Sequence, residues 1–367
     1  MHRPRRLTST ERTTPCLSPF TDEYHGDQAD LPAPHGAACA LVSDQAALSH
    51  ADALGPRVAA TLRASESGDL EVSELSIMPG GHSGLTYRLT AGAQDLVVKA
   101  VPPGQRSMGR HDMLRQARIL QALADTDVPV PRVRAVDEQE PAWFAMELVA
   151  GESLEPVLDD PPVEPALAAD RMRRAAEVLP ALHGVPAGML PVDGPPLTPA
   201  DELARWIRTM DAVPPELVPE AGRLQAKLEA DVPEGVEPVL VHGDYRLGNI
   251  LSLGTDPAAV IDWEIWSIGD PRVELGWFLV FADGTNFPGV GREVPGLPAE
   301  DELVGLYTAG GRLDRLEWFH ALGRFKMAAI MGHNLRRHRE GRHHDPAQEK
   351  LPATIGRLLE SGLERLG

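Results

Sequence analysis

The chain has 367 residues and a mass of 39.6 kDa, room for one large domain or two modest ones. Its two cysteines, Cys16 and Cys39, are too few for a disulfide scaffold or a cysteine zinc site, and no run of about 18 apolar residues is present to span a membrane. The net charge of −19 is uneven: residues 151–311 hold 10 basic against 28 acidic side chains, whereas 312–367 hold 11 against 7. So acidic a surface repels a phosphate backbone, and no nucleic-acid partner is expected.

Residues 1–50 lack a sustained apolar period and are rich in Pro, Ser, Thr, Asp and His, which predicts a flexible N-terminal tail. The basic start, Met1–Arg12, has no apolar stretch after it, so no secretory signal is expected and the cytoplasm is the default location. From residue 51 the pattern becomes globular. Ala53–Ser65 predicts a helix, and the alternation of Leu70, Val72, Leu75 and Ile77 predicts a strand over Leu70–Met78. A glycine-containing turn, Pro79–Gly84, leads into strands at Leu85–Thr90 and Leu96–Val101, joined through Ala91–Gln94. Helical spacing marks His111–Leu123, and further strands are expected at Val133–Val136 and Trp143–Leu148. From Gly151 the texture changes. Pro-rich connections separate predicted helices at Ala166–His183, Pro199–Asp211 and Glu216–Ala230, and short apolar strands are expected at Val239–Val241 and Ala258–Ile261. Helices are then expected at Val273–Phe281, Glu300–Ala309, Leu316–Arg339 and Leu351–Leu366. A sheet-rich part therefore ends near residue 150 and a helix-rich part follows.

The densest chemistry lies in Val239–Leu251. An apolar strand delivers His242-Gly243-Asp244, Asn249 follows Asp244 by five positions, and Asp262 ends the next apolar strand thirteen residues later. Strands with polar tips joined by a loop bring Asp244, Asn249 and Asp262 together. Phosphoryl transfer uses such a set: one carboxylate orients and deprotonates a hydroxyl, while an amide oxygen and a second carboxylate hold Mg²⁺ against a triphosphate. Singly, each of these residues is an ordinary turn cap; the spacing of all three matches the catalytic loop and metal-binding Asp of kinases.

On these residues, with Ile261-Asp262-Trp263-Glu264 and Gly269-Asp270-Pro271, the chain resembles the aminoglycoside phosphotransferase superfamily, whose fold is that of the protein kinases. The Tyr245-Arg246 pair narrows the resemblance to phosphotransferases related to the kinase domain of acyl-CoA dehydrogenase fusion proteins; antibiotic kinases tend to carry Leu-His or His-Pro there. The resemblance covers roughly residues 55 to 366. It implies an α+β, two-lobed, protein-kinase-like fold, with a small antiparallel sheet in a nucleotide-binding N-lobe (51–150). A larger helical C-lobe (151–367) would hold the catalytic loop and acceptor site. It implies ATP and Mg²⁺ as cofactors, Asp244 as base, and Asn249 and Asp262 as metal ligands. Lys99, at the end of the strand Leu96–Lys99, would meet the phosphates. Gly80, Gly81 and Ser83 in the turn would bring backbone N–H groups to phosphate oxygens. Backbone groups of Glu147 and Val149, at the boundary between the lobes, would bond the adenine edge.

The resemblance has departures. The family often has Asn where Gly84 stands. The helix residue that would pair with Lys99 is Gln116 rather than Glu, an amide that bonds but does not neutralise; Asp112, one turn earlier, is a possible substitute. His-Gly-Asp replaces the His-Arg-Asp of protein kinases, and no long activation segment separates Asp262 from the helix expected to start with Asp270 as cap and Pro271 as first residue. A small-molecule hydroxyl acceptor is therefore expected. Glu264 is an additional ligand or a structural hydrogen-bonder. The basic run Arg336–His344 is a solvated helix end or an anion site. Three functional readings stand open: a metabolite kinase acting on a hydroxylated acyl or similar compound, an aminoglycoside or amino-alcohol kinase, and a nucleotide-binding regulator without turnover, the last suggested by Gln116. No protein partner can be named from the sequence.

Overall fold

A computed structural model describes residues 44–65, 70–78, 85–105, 112–159, 162–191, 194–342 and 344–367. A five-stranded antiparallel sheet comes first, in the order β1-β2-β3-β5-β4: β1 Ser76–Ile77, β2 Leu85–Ala91, β3 Gln94–Ala100, β4 Val133–Asp137 and β5 Trp143–Glu147. Strand alternation sorts its two faces. Leu96, Val98 and Ala100 pack with Tyr87 and Leu89 under helix α1 (Asp44–Ser65), forming a small separate core. Lys99, between Val98 and Ala100, points to the other face, where it is paired in register with Phe144 and approaches helix α2 (Met113–Leu123).

Among the described residues seven further α-helices follow: α3 Pro165–His183, α4 Pro199–Asp211, α5 Ala221–Ala230, α6 Pro271–Phe278, α7 Glu300–Tyr307, α8 Leu316–Arg339 and α9 Leu351–Arg365. Two hairpin-like ribbons sit among them. β6 (Val239–Val241) pairs with β9 (Ser267–Gly269), and β7 (Ile250–Leu253) pairs with β8 (Asp256–Val260). The large core runs from Val101, Ile119 and Phe144 in the sheet half into α3, α6, α8 and α9, so the two halves share one apolar interior. Among the described residues no helix is long and apolar enough to cross a membrane.

The long helices lie where the apolar period predicts them; α4 and α8 match residue for residue. Four differences have local causes. Helix α1 begins at Asp44, inside the segment expected to be tail, because small buried alanines (Ala47, Ala51) extend its inner face and the Tyr87 hydroxyl donates to Ala47 O at 3.2 Å. Between residues 70 and 78 the apolar phase slips from Val72 to Leu75, so only an isolated Val72–Ala91 bridge and the two-residue β1 form. Pro219, which lacks an N–H and forces Val218 out of helical geometry, delays α5 to Ala221 after a 3₁₀ turn at Pro215–Leu217. The strands expected at 239–241 and 258–261 each pair with a strand that the sequence reading did not contain. These partners, β9 and β7, are too short and mixed in sequence to register as strands.

The crossing of α6 and α8 is unusually close. A Cβ on Gly276 would lie 2.3 Å from Phe319 O, and one on Gly323 would lie 2.6 Å from Gly276 O. These two glycines let the backbones touch, which brings Trp277 on α6 close to Lys326 on α8. Gly276→Ala should therefore lower the unfolding free energy by about 1–3 kcal/mol or more, read as a fall in the urea midpoint.

Candidate active site

Hydrogen bonds build the site from the β6–β7 loop outward. The His242 ring accepts from Asp244 N through Nδ1 (3.1 Å), so its proton is on Nε2, which donates to Ile261 O at 2.9 Å. That bond spans from the loop to the end of β8. The ring also packs edge-on against Trp263 at 4.6 Å. Gly243 takes φ +88°, and a Cβ there would lie 2.7 Å from Ile265 O. A side chain at this position is excluded on both counts, which accounts for His-Gly-Asp.

The Asp244 carboxylate is held from two sides. Asn249 Nδ2 donates to its Oδ2 at 2.8 Å and to its backbone carbonyl at 2.9 Å; Trp277 Nε1 donates to Oδ1 at 3.0 Å. Arg246 Nε lies 3.3 Å from Oδ1 and completes the charge balance. The Asn249 carbonyl accepts from Ile261 N at 2.9 Å, extending the β7–β8 pairing by one step and setting Asp262 beside the loop. Asp262 itself has φ 68°, a left-handed conformation that a β-substituted residue keeps only when its surroundings impose it. Its Oδ1 accepts from Lys99 Nζ at 3.0 Å, and Lys99 also donates to Gln116 Oε1 at 3.2 Å. Burial opposes the Lys99 charge, but Asp262 and Glu264 outweigh it and hold its pKa above the ordinary lysine value. Burial likewise opposes the Asp262 charge; Lys99, helped by Arg246, overrides it and holds the carboxyl below its ordinary range. A pocket beside this pair is lined by Phe144, Met146, Leu120 and Trp263 as well as Lys99 and Gln116.

Asp244, Asn249, Asp262 and Lys99 thus come together, and Gln116 occupies the place expected of it. Asp112 instead caps α2, its carboxylate accepting from Arg115 N at 2.9 Å. Glu147 and Val149 lie where β5 runs out toward the helical half. The Glu147 N–H donates to Arg132 O at 2.9 Å and its side chain pairs with Arg134. Gly151 follows at φ +147°, packed against the Ser252 backbone, and Glu152 bridges to Ser252. The glycine-turn residues Gly80, Gly81 and Ser83 lie outside the described residues. The basic run is tied into the fold: Arg339 makes two bonds to Glu349 (2.9 and 2.8 Å), Arg342 pairs with Glu340, and Arg336 donates to Ala212 O. Asp270 caps α6 through Arg272 N at 2.9 Å, with Pro271 first in the helix, as expected.

Three supporting groups escape a sequence reading because they come from parts of the chain distant from this loop, two helices and one connecting segment. Glu274, buried on α6, accepts from His242 N (2.6 Å) and Gly243 N (2.9 Å), satisfying both amides of the turn. Glu155 is buried against Arg246 and accepts from Gly248 N at 3.1 Å; burial pushes its pKa up to about 8 against the pull of Arg246. Lys326 on α8 donates to Gly243 O and sits over the Trp277 ring at 3.8 Å. Only the Glu274 position carried a sequence hint, as a carboxylate in the first turn of a helix whose start is legible.

With this geometry described, comparison with known proteins gives the class. Residues 74–303 match the phosphotransferase enzyme family (APH), and the chain belongs to that family. Its fold is the kinase-like one of that family. The curated protein acyl-CoA dehydrogenase family member 11 of Pongo abelii is 26% identical over 304 residues, 77% of this chain and 39% of that protein. The chain thus spans about two fifths of the length of that relative. Among solved structures, a Ralstonia eutropha protein described provisionally as an aminoglycoside phosphotransferase superimposes with a TM-score of 0.69 at 24% identity, covering 86% of this chain and 97% of the other. A thermostable mutant of aminoglycoside phosphotransferase APH(4)-Ia, in ternary complex with AMP-PNP and hygromycin B, shares the fold at a TM-score of 0.50 and 19% identity, covering 78% and 94%.

Glu274 offers a direct check on the turn. Burial alone would raise its pKa, but His183 and the His242 backbone N–H outweigh that and hold it below the usual 4.5. A depressed carboxylate adds stability that is present above its unfolded value and lost as pH falls through the folded one. Glu274→Gln should therefore cost about 2–4 kcal/mol at pH 7, and the gap from wild type should narrow in urea titrations run below about pH 4.5.

Proposed function

We propose that this protein transfers the γ-phosphoryl group of ATP to a hydroxyl of a small molecule, with Asp244 accepting the hydroxyl proton. The observation that carries this reading is one continuous chain of hydrogen bonds, from Trp277 through Asp244 and Asn249 to Ile261-Asp262, and on to Lys99 and Gln116. It joins a carboxylate suited to a hydroxyl with a carboxylate and a lysine suited to a metal–triphosphate.

In the proposed reaction the acceptor oxygen attacks the γ-phosphorus, the bond to the bridging β,γ-oxygen breaks, and ADP leaves. The acceptor proton passes to Asp244, whose carboxylate is already aimed by Asn249 and Trp277. Lys99, buried and cationic, faces the phosphates. Most of the rate enhancement comes from this positioning and from charge neutralisation. Asn249 spends its amide N–H groups on Asp244, which leaves its carbonyl oxygen, with Asp262, as the hard oxygen pair that suits Mg²⁺. When bound, the ion supplies charge neutralisation at the triphosphate. The Glu147 carbonyl and the Val149 N–H are the backbone groups proposed for the adenine edge, since the Glu147 N–H is engaged in the sheet. The fold neighbour that carries AMP-PNP supports a nucleotide in this cleft.

The acceptor proposed is a hydroxylated acyl compound, supported by the similarity to an acyl-CoA dehydrogenase family member. Cationic aminoglycosides are the second reading, supported by the acidic middle of the chain and the fold neighbours. A screen of ATP consumption with hydroxyacyl-CoA, amino-alcohol and aminoglycoside panels separates them. The expected outcome is ADP formation with a hydroxyacyl member. Asp244→Ala should lose on the order of 10²–10⁴-fold in turnover while still binding nucleotide. Full activity in that variant would contradict the role given to Asp244.

A further inference from the structure

We infer that Lys326 is a positioning residue for the phosphoryl transfer, holding the Gly243–Asp244 peptide from the α8 side and setting the charge environment of Asp244 through Trp277. The inference rests on the proposed role of Asp244. Helix α8 lies beyond residues 74–303 that match the family, so the motif does not include this lysine.

Lys326 is 4% exposed. Its ammonium donates to Gly243 O, the carbonyl of the peptide that leads into Asp244. Glu274 takes the Gly243 N–H from the opposite side at 2.9 Å. Both polar groups of one glycine, at φ +88°, are therefore pinned, one by a cation and one by an anion. A swing of that peptide would turn the Asp244 side chain away from its partners.

The second contact acts through an aromatic ring. The ammonium sits 3.8 Å from the centroid of Trp277 and 5.0 Å from that of Trp206. The edge of the same Trp277 donates its Nε1 proton to Asp244 Oδ1 at 3.0 Å. A cation on the face of an indole draws electron density from the ring and makes the N–H a stronger donor. Lys326 thereby steadies the carboxylate without touching it.

A buried ammonium costs stability that an apolar side chain of similar length would not. The charged groups around it are Asp244 on the loop, Glu274 on α6, and Glu202 and Arg205 on α4. Burial pushes the Lys326 pKa down to about 8; Asp244, Glu202 and Glu274 draw it back up and Arg205 lowers it. Its charge is thus largely held at neutral pH and lost in mild alkali. A depressed lysine pKa makes stability rise with pH between the folded and unfolded values, because the unfolded chain then holds the extra proton. Its removal should therefore not weaken the fold at neutral pH.

The chain has four lysines, Lys99, Lys227, Lys326 and Lys350, so ε-¹³C-lysine NMR resolves each. The Lys326 signal is identified by its loss in Lys326→Met. It is expected to be ring-shifted by Trp277, to titrate near pH 8, and to titrate at lower pH in Asp244→Asn. An ordinary lysine midpoint, or no response to Asp244→Asn, overturns the inference whether or not turnover has been found. Transfer to a hydroxyacyl-CoA of the panel gives the second readout. Lys326→Met should melt at or above the wild-type temperature yet lose about tenfold in kcat with KM for ATP unchanged. It should also lose the alkaline limb near pH 8, while Lys326→Arg moves that limb to higher pH. Wild-type kcat and an unchanged limb in Lys326→Met would overturn the inference. Absence of transfer by the wild type to any acceptor would count against the function proposed above, not against the NMR result.

Discussion

The ion pair between Lys99 and Asp262, 3.0 Å apart and 163 positions apart in sequence, joins the sheet to the helical half. Burial disfavours each ion alone, and the pair restores each. Strand alternation turns Lys99 away from the α1 core, and the β7–β8 ribbon brings Asp262 to meet it in a left-handed turn. Gln116 bonds the lysine but adds no charge, so Asp262 is the close anion that balances it. In the proposed reaction that carboxylate also meets the metal, which makes one residue responsible for both the resting pair and the phosphate site.

Around this pair the His242–Asp244 turn is held chiefly by side chains from elsewhere. Glu274 takes two of its amides, Glu155 takes Gly248 N, and Trp277 and Lys326 come from the glycine-mediated crossing of α6 and α8. The turn is short, and its amides have few partners of their own; helix α6 and the loop at Glu155 supply them. The close packing at Gly276 and Gly323 thus bears on chemistry as well as on stability, since it sets the distance between Lys326 and the Trp277 ring.

The sequence foretold the parts that depend on local chemistry. Asp244, Asn249 and Asp262 stand out because three oxygen donors share a fixed spacing after apolar strands, and Lys99 because a charge ends an apolar run. Long helices such as α4 and α8 are legible from their period. Strands of three or four residues, β7 and β9, carry too few positions to show alternation, and neither was expected from the sequence. Glu274 and Lys326 look like any charged residue on a helix, and Glu155 like any in a loop; only tertiary packing buries them. The basic run at the end of α8 illustrates the converse: a conspicuous sequence cluster whose arginines are taken up by Glu340, Glu349 and the Ala212 carbonyl.

The acidic excess over residues 151–311 takes on a more specific meaning with the site in view. Asp244, Asp262, Glu155 and Glu274 belong to it, and each is buried or half-buried against a cation, an indole or backbone amides rather than solvating the surface. The central claim is that Asp262 and Asn249 make this charge cluster a metal–triphosphate site. Calorimetric titration of ATP into wild type and Asp262→Asn, each with Mg²⁺ and with chelator, tests it most directly. The account predicts at least tenfold tighter binding with Mg²⁺ in the wild type and loss of that Mg²⁺ dependence in Asp262→Asn. The same Mg²⁺ dependence in both proteins, or no nucleotide binding by the wild type, would contradict it.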